Sequence, residues 1–407
     1  MTDEFRVGMV GLGAAARIVI PGLIACEGTK LVAVCDLREE ERRFYKTRFG
    51  LDTYSDYEEM CRQADINVVY VATPNELHAQ HAIIAAEHGK HVICEKPMAI
   101  TLDEAHRMIE AVERNNVRYV QGHSKIFRPT FRKMGEIIVS GRLGRVIQIH
   151  TWMYNDWMIR PMLAGEVDEK KGGGVVFRQG PHHMDIARYL GGGKIRSLRA
   201  MVGRHMPIFD IEGNYSAFLE FEEGAAGLLG FNGYGFFDVA EMTWGIGEGG
   251  SVHSDEFLYG PRAGTHGPVT TAVRYSHPMY SLEAMEQRMQ PGSQKASRQD
   301  FFGVTIVSCE KGDIRQSPDG LYVYTQGGRE EVAIEPDINI RGASELNVLR
   351  ANLERNEPIF PDAYWGRASL EACLAMIQSS RERRQIDLRY QSPSPLLPAL
   401  QKMNNNR

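Results

Sequence analysis

The sequence predicts an α/β protein in two parts: a doubly wound parallel sheet, then a second α/β domain built on a large, mostly antiparallel open sheet. Three observations predict it. Short apolar runs alternate with helical segments from Arg6 to Val120, the pattern of strand–helix–strand units. The first run leads into Gly11-Leu12-Gly13-Ala14-Ala15-Ala16, and the second ends on Asp36. Beyond Pro129 the apolar runs lengthen and alternate with a period of two, as strands with one solvated face do. The 407 residues, 43% hydrophobic and 24% charged, suffice for two or three domains with sizeable cores. A net charge of −5 offers no basic face for nucleic acid or for an anionic membrane.

Arg6–Val10 is the first expected strand. In the G-x-G-x-x-A that follows, Gly11 permits a tight turn, Gly13 lets the backbone approach a pyrophosphate, and Ala16 lets helix pack on strand. The N–H groups of the helix's first turn, at Ala14 and Ala15, suit phosphate. Pro21 is expected to kink or restart this helix. Strand Leu31–Cys35 ends on Asp36, an acid where ribose hydroxyls want one. A carboxylate there repels a 2′-phosphate, so NAD is expected over NADP. Arg38 is placed to reach such a phosphate, although a solvated charge on the next helix is its plainer reading.

Helices Arg38–Phe49 and Ser55–Arg62, strand Asn67–Ala72, helix Glu76–His88 and strand His91–Cys94 follow. Thr73-Pro74-Asn75 and Glu95-Lys96-Pro97 both fall at strand carboxyl ends, the edge where ligands bind in such sheets. Pro97 ends its strand and keeps Lys96 out of helical conformation. His78 and His81 lie one helical turn apart but lack a third ligand nearby, so no metal is expected. Thr101-Leu102-Asp103-Glu104 is a capping box, and Arg118–Val120 closes the unit as a strand.

Gln121 to Pro129 is the expected junction. The predicted domains are 1–122 for dinucleotide binding, 123–390 for substrate binding and oligomerisation, and a polar, proline-containing tail at 391–407. Helix Thr130–Ser140 leads to strands Val146–Trp152, Ile195–His205, Tyr215–Phe221 and Ala225–Phe231. Phe301–Glu310 and Gly320–Tyr324 are further strands, and Ser344–Arg355 and Tyr364–Arg384 are helices. The sheet's spare face is expected to meet another subunit in a homodimer or higher oligomer. Gly247–Gln299 is loop-rich, with Ser281–Met289 its clearest ordered piece. Six scattered cysteines without a CxxC pair read as reduced thiols. With no signal pattern at the N-terminus and no apolar run of membrane length, a cytoplasmic location is expected.

Between the first two long strands lie Trp157, Arg160, then Gly172-Gly173-Gly174, Arg178, His182, His183 and Asp185. Adjacent helical residues point about 100° apart, so the two histidines and Asp185 do not share a metal. One histidine facing a cleft is expected.

Taken together, Gly11-x-Gly13-x-x-Ala16, Asp36, Thr73-Pro74-Asn75, Glu95-Lys96-Pro97 and Gly172–Asp185 resemble the glucose–fructose oxidoreductase/inositol dehydrogenase family over nearly the whole chain. Gly247–Gln299 reads as an insertion. The resemblance implies a Rossmann domain, an open-sheet second domain, a nicotinamide cofactor, homo-oligomers and a cis Lys96–Pro97 bond. It assigns catalysis to His182, which takes a hydroxyl proton, and to Lys96, which hydrogen-bonds the same oxygen. It assigns cofactor contacts to Gly11, Gly13, Ala14, Ala15, Asp36, Arg38, Thr73, Pro74, Asn75, His78, Glu95 and Lys96.

The family pattern places an aspartate four residues before the histidine, and here that position is Arg178. A guanidinium presents a fork suited to a carboxylate. With Lys96, Arg128, Trp157, Arg160, His182 and His183 as further substrate contacts, the substrate implied is a carboxylate-bearing ring alcohol. Within that family the chain most resembles members that oxidise an aromatic-acid cis-dihydrodiol to a catechol, and the resemblance implies phthalate cis-4,5-dihydrodiol as substrate. Sugar, inositol or sugar-acid oxidation, or non-enzymatic dinucleotide sensing, are the alternatives.

Overall fold

The computed structural model describes residues 4–122, 125–261, 268–270, 273–274, 280–290, 298–335 and 342–405. The chain divides into two compact units, each assembled from three stretches. Met1–Ser124, Thr270–Gln294 and Asn339–Leu370 make the first; Lys125–Val269, Lys295–Ile338 and Glu371–Arg407 make the second. The first stretch ends beside the junction expected from the sequence, while two later stretches return to the first unit.

In the first unit, strands β1 (Phe5–Val10), β2 (Thr29–Cys35), β3 (Asp52–Tyr54), β4 (Val68–Val71), β5 (His91–Cys94) and β6 (Tyr119–Gln121) form one sheet. Their order is β3-β2-β1-β4-β5-β6, and every neighbouring pair is parallel. This is the doubly wound order whose direction switches between β1 and β4, so ligands are expected at the carboxyl ends of those strands. Val7, Met9, Val68 and Val69 are completely buried, as central strands covered on both faces require. No apolar run marks β3, a three-residue edge strand that was not expected.

Helices α1 (Ala14–Ala25), α2 (Glu39–Phe49), α3 (Tyr57–Gln63), α4 (His78–Glu87) and α5 (Leu102–Arg114) connect these strands. The capping box at Thr101 and Glu104 forms as expected. Pro21, however, does not restart the helix, since α1 runs continuously across it. Proline removes the N–H that Arg17's carbonyl would accept. That carbonyl instead accepts from Arg288 Nη1 at 3.4 Å. Arg288 belongs to helix Leu282–Met289, which packs on α1 with Met285 fully buried in the same core.

The second unit holds a nine-stranded sheet: β7 (Val146–Tyr154), β8 (Ile195–Gly203), β9 (Asn214–Phe221), β10 (Ala226–Asn232), β11 (Val304–Cys309), β12 (Gly312–Ser317), β13 (Gly320–Thr325), β14 (Gly328–Ala333) and β15 (Ile386–Asp387). Its order is β14-β13-β12-β11-β7-β10-β9-β8-β15, antiparallel throughout except where β10 pairs with β7. Strands β12 and β14 escaped the sequence because Gly-Asp-Ile-Arg-Gln-Ser and Gly-Arg-Glu-Glu-Val-Ala carry little apolar alternation. Helices α6 (Pro129–Val139), α7 (Val175–Arg178) and α8 (Gly180–Leu190) follow the same unit, with α8 packed on β7.

The chain's end is not a polar tail. Leu397–Asn405 is helical, and Leu396, Leu397 and Leu400 are buried. Arg188, fully buried on α8, anchors this stretch by donating to Gly193 O at 3.0 Å and to Ser392 Oγ at 3.0 Å. Gly193 has φ +95°, and a Cβ there would collide with the main chain of Ser392 and Ser394.

Candidate functional site

At the carboxyl ends of β1 and β2 the residue types and the backbone agree. Gly11 has φ +86°, and a Cβ on it would lie 2.7 Å from Ala72 O and 2.8 Å from Thr73 N. Glycine is therefore required by both conformation and space. Gly13 caps α1 without a side-chain hydrogen bond, and no acid occupies the first turn at Ala14 and Ala15. Those N–H groups and the helix's positive end suit a pyrophosphate. Asp36 accepts from Leu12 N at 2.8 Å, which holds its carboxylate beside the glycine turn. A dinucleotide fits these groups.

Arg38 is not the solvated charge expected. It precedes α2 in extended conformation and grips Asp36, with Nε 2.9 Å from Oδ1 and Nη2 2.8 Å from Oδ2. Burial alone would raise the Asp36 pKa, but hydrogen bonds from the Arg38 side chain and from the Arg38 and Leu12 N–H groups hold it below the usual carboxylate range. Leu37, between them, is 84% exposed, an apolar surface beside the acid that sequence reading passed over.

At the ends of β4 and β5 three expected contacts turn inward. His78 is buried, with Nδ1 2.7 Å from Pro97 O and Nε2 2.9 Å from Thr73 O, so its ring ties these two loops together. Neither nitrogen is presented outward for a cofactor or a metal. His81 meets Thr73 Oγ1 at 3.1 Å; burial, then the charge of His78, pulls its pKa down to about 4. Glu95 is buried and accepts from Tyr70 OH at 3.1 Å and from Lys96 N at 3.3 Å. Asn75 is buried as well, whereas Pro74 is exposed and Lys96 half-buried, with the Lys96–Pro97 bond cis as expected.

The second unit brings His182, His183, Phe302 and Lys125 together. His182 and His183 each set their rings edge-on to Phe302 with centroids 5.1 Å apart. Lys125 Nζ lies over the same ring, 4.9 Å from its centroid. Lys125 is 1% exposed and is balanced by Glu248 at 2.6 Å and Asp300 at 3.9 Å. Nothing in the sequence pointed to this cluster, since Lys125, Glu248 and Asp300 are far apart along the chain.

His183, an expected substrate contact, sits in the core of the second unit. It is fully buried, its Nδ1 lies 2.7 Å from Tyr215 OH, and burial takes its pKa down to about 3. Arg128 and Arg160, expected at the substrate, face carboxylates of the chain. Arg128 Nε lies 2.9 Å from Asp300 Oδ2, and Arg160 lies 2.6 Å from Asp156 Oδ1. Trp157 is buried in the short helical turn that precedes Arg160. Arg178 ends α7 and is half-buried, two residues before the start of α8, which carries His182. Gly174, with φ +87°, starts α7 against the carboxylate of Glu212, so a side chain at that glycine would displace the acid.

Known proteins place this arrangement. Residues 5–123 match the model of the oxidoreductase family with an NAD-binding Rossmann fold, and residues 131–241 match the GFO/IDH/MocA C-terminal domain. A 1-carboxy-3-chloro-3,4-dihydroxycyclohexa-1,5-diene dehydrogenase of Comamonas testosteroni is 30% identical, over 92% of this chain and 95% of its own. An inositol 2-dehydrogenase of Salmonella typhimurium is 29% identical over 46% of this chain and 54% of its own. A crystal structure from Bordetella bronchiseptica superposes with a TM-score of 0.82 at 33% identity, covering 95% of this chain and 100% of that one. The end-to-end match, the parallel six-stranded sheet and the glycine turn beside Asp36 lead to one conclusion: this chain belongs to the GFO/IDH/MocA oxidoreductase family, and its Rossmann domain binds NAD.

Proposed function

We propose that the protein is an NAD-dependent dehydrogenase that oxidises a carboxylated ring cis-dihydrodiol, with phthalate cis-4,5-dihydrodiol as the expected substrate, to the corresponding catechol. One observation carries this reading. The relative matched from end to end is named for a carboxylated dihydroxycyclohexadiene, whereas the inositol dehydrogenase matches over about half of each chain. Arg178 supports it, because a guanidinium occupies the position of the family's aspartate and favours a carboxylate over a polyol hydroxyl. Arg128 and Arg160 pair with Asp300 and Asp156 of the chain itself.

In this reaction His182 takes the proton of the ring hydroxyl, and Lys96 donates a hydrogen bond to the same oxygen as negative charge develops. NAD, which the glycine turn and Asp36 would hold, would supply the acceptor for the hydride of the carbinol carbon. The ketone formed tautomerises to a catechol, and the aromaticity gained makes the oxidation strongly downhill. Gly11, Gly13, Ala14 and Ala15 are assigned to the pyrophosphate, Asp36 to the ribose hydroxyls and Leu37 to the adenine face. Thr73, Pro74 and Lys96 border the cofactor's reactive end. Asp36 should favour NAD over NADP.

The sheet's second face supports self-association. Trp152, His150, Leu228, Phe218 and Met201 share that face by register, and Phe218 and Met201 are 48% and 68% exposed. A second copy of this chain is the proposed cover.

The test is a substrate panel followed by the absorbance of reduced nicotinamide: phthalate cis-4,5-dihydrodiol, an uncharged cis-dihydrodiol, inositol, glucose and a sugar acid. The carboxylated dihydrodiol should give the highest kcat/KM by far. Equal or better turnover of inositol or a sugar acid would overturn the substrate.

A further inference from the structure

The insertion expected at Gly247–Gln299 contains a helix, Leu282–Met289, that belongs to the first unit. It docks on α1 and α2 through several contacts. Tyr45 OH lies 3.4 Å from Met285 Sδ, Arg48 Nε lies 2.6 Å from Glu286 Oε1, and Arg288 serves the carbonyl freed by Pro21. Just ahead of the helix, Tyr280 O accepts from Arg17 Nη1 at 2.8 Å.

Arg17 is where this brace meets the cofactor edge. It is 3% exposed, and its Nη2 donates to Oε1 of Glu41, itself 5% exposed. The same Oε1 faces Arg38 Nη1 at 3.4 Å, and Arg38 is the residue that grips Asp36. Charges therefore alternate along an unbroken line: Asp36, Arg38, Glu41, Arg17. Arg17 and Glu41 are buried and Asp36 and Arg38 partly so, which limits screening by water and salt and lets a change at one end reach the other.

Arg38 stands between two carboxylates, and its allegiance decides what the ribose site offers. With Arg17 neutralising Glu41, Arg38 stays on Asp36. Each Asp36 oxygen then already accepts two hydrogen bonds, Oδ1 from Arg38 N and Nε and Oδ2 from Leu12 N and Arg38 Nη2. A guanidinium held there also softens the repulsion between Asp36 and a 2′-phosphate. If Glu41 pulled harder, Arg38 would leave Asp36 free for ribose hydroxyls. If Glu41 pulled less, the site would gain positive potential.

We propose that Arg17 and Glu41, braced by the Tyr280–Met289 segment, are positioning residues that set the discrimination between NAD and NADP. The inference rests on Asp36 and Arg38 meeting the adenosine ribose, and it gives the inserted segment a function. It makes predictions of opposite sign for the two partners of one ion pair. Arg17→Met leaves Glu41 unbalanced, draws Arg38 off Asp36 and should raise the ratio Kd(NADPH)/Kd(NADH). Glu41→Gln leaves two arginines without their shared acid and should lower that ratio.

The experiment is calorimetric titration of the full-length protein with NADH and with NADPH. Each single variant should move the ratio by on the order of tenfold, in opposite directions. In an Arg38→Leu background neither substitution should move it. A purely structural network would weaken both nucleotides together in both variants, and that result would overturn the proposal. So would an unchanged ratio in a protein that binds NADH normally, or an effect that survives Arg38→Leu. Should Arg17→Met fail to fold, the near-isosteric Glu41→Gln, with and without Arg38→Leu, decides alone. A wild-type protein that binds neither nucleotide would overturn the cofactor reading itself.

Discussion

His182 and His183 are neighbours in sequence, and the fold treats them differently. His183 is locked neutral: burial takes its pKa from the ordinary 6.5 to about 3. The unfolded chain takes up a proton that the folded chain excludes, so this contribution to stability is complete above pH 6.5 and is lost as pH falls toward 3. The slope is about 1.4 kcal/mol per pH unit in that window. Thermal unfolding should therefore become steeply easier below about pH 6 for the native protein, and less steeply for His183→Gln. A slope unaltered by the substitution would mean His183 takes up its proton without unfolding the chain.

The proposed catalytic pair predicts a different signature. Lys96→Met and His182→Asn should each lower kcat by about two to four powers of ten, the usual worth of proton transfer or of one oxyanion donor, with the unfolding temperature little changed. Near-normal turnover in both would remove them from the reaction. Arg178→Ala should act on binding: KM for a carboxylated dihydrodiol should rise by about tenfold or more, with kcat less affected, because the carboxylate is not the reacting centre. Unchanged KM with a lower unfolding temperature would make Arg178 a structural residue.

At the scale of elements, α1 depends on a partner. Its proline takes away one main-chain hydrogen bond, and the helix Leu282–Met289 supplies a substitute through Arg288 while burying Met285. Met285→Ala should destabilise the protein by about 2–5 kcal/mol, the range for a large apolar side chain removed from a core. Chemical denaturation would measure this. A loss near zero would show that the inserted helix rests on the first unit without stabilising it.

At the scale of the whole molecule, the open sheet face carrying Phe218 and Met201 should be covered by a second copy. Light scattering at about micromolar concentration should report a dimer or larger assembly, and Phe218→Arg should shift it toward monomer, since a charge in an apolar interface is strongly disfavoured. A monomeric native protein would refute the interface. Among the described residues no helix is long and apolar enough to cross a membrane.

What the sequence determined by itself was local. A glycine turn, an acid ending β2, a proline ending β5 and the period-two runs of the second half each report a backbone geometry that only certain residues tolerate. That was enough for the existence of both sheets, though not for β3, β12 and β14, and for placing Asp36 and Lys96 at strand ends and His182 on a helix. It could not give the partners of buried polar groups, because such partners lie far away in the chain. Arg38 looked like a solvent-facing charge until the fold put it on Asp36 and Glu41. Pro21 looked like a break until Arg288, 271 residues away, reached the freed carbonyl. His78, Glu95 and His183 had the residue types of a site, but tertiary packing used their polar atoms for carbonyls, a tyrosine and a core. A buried polar group must be paired, and only the folded chain decides with what.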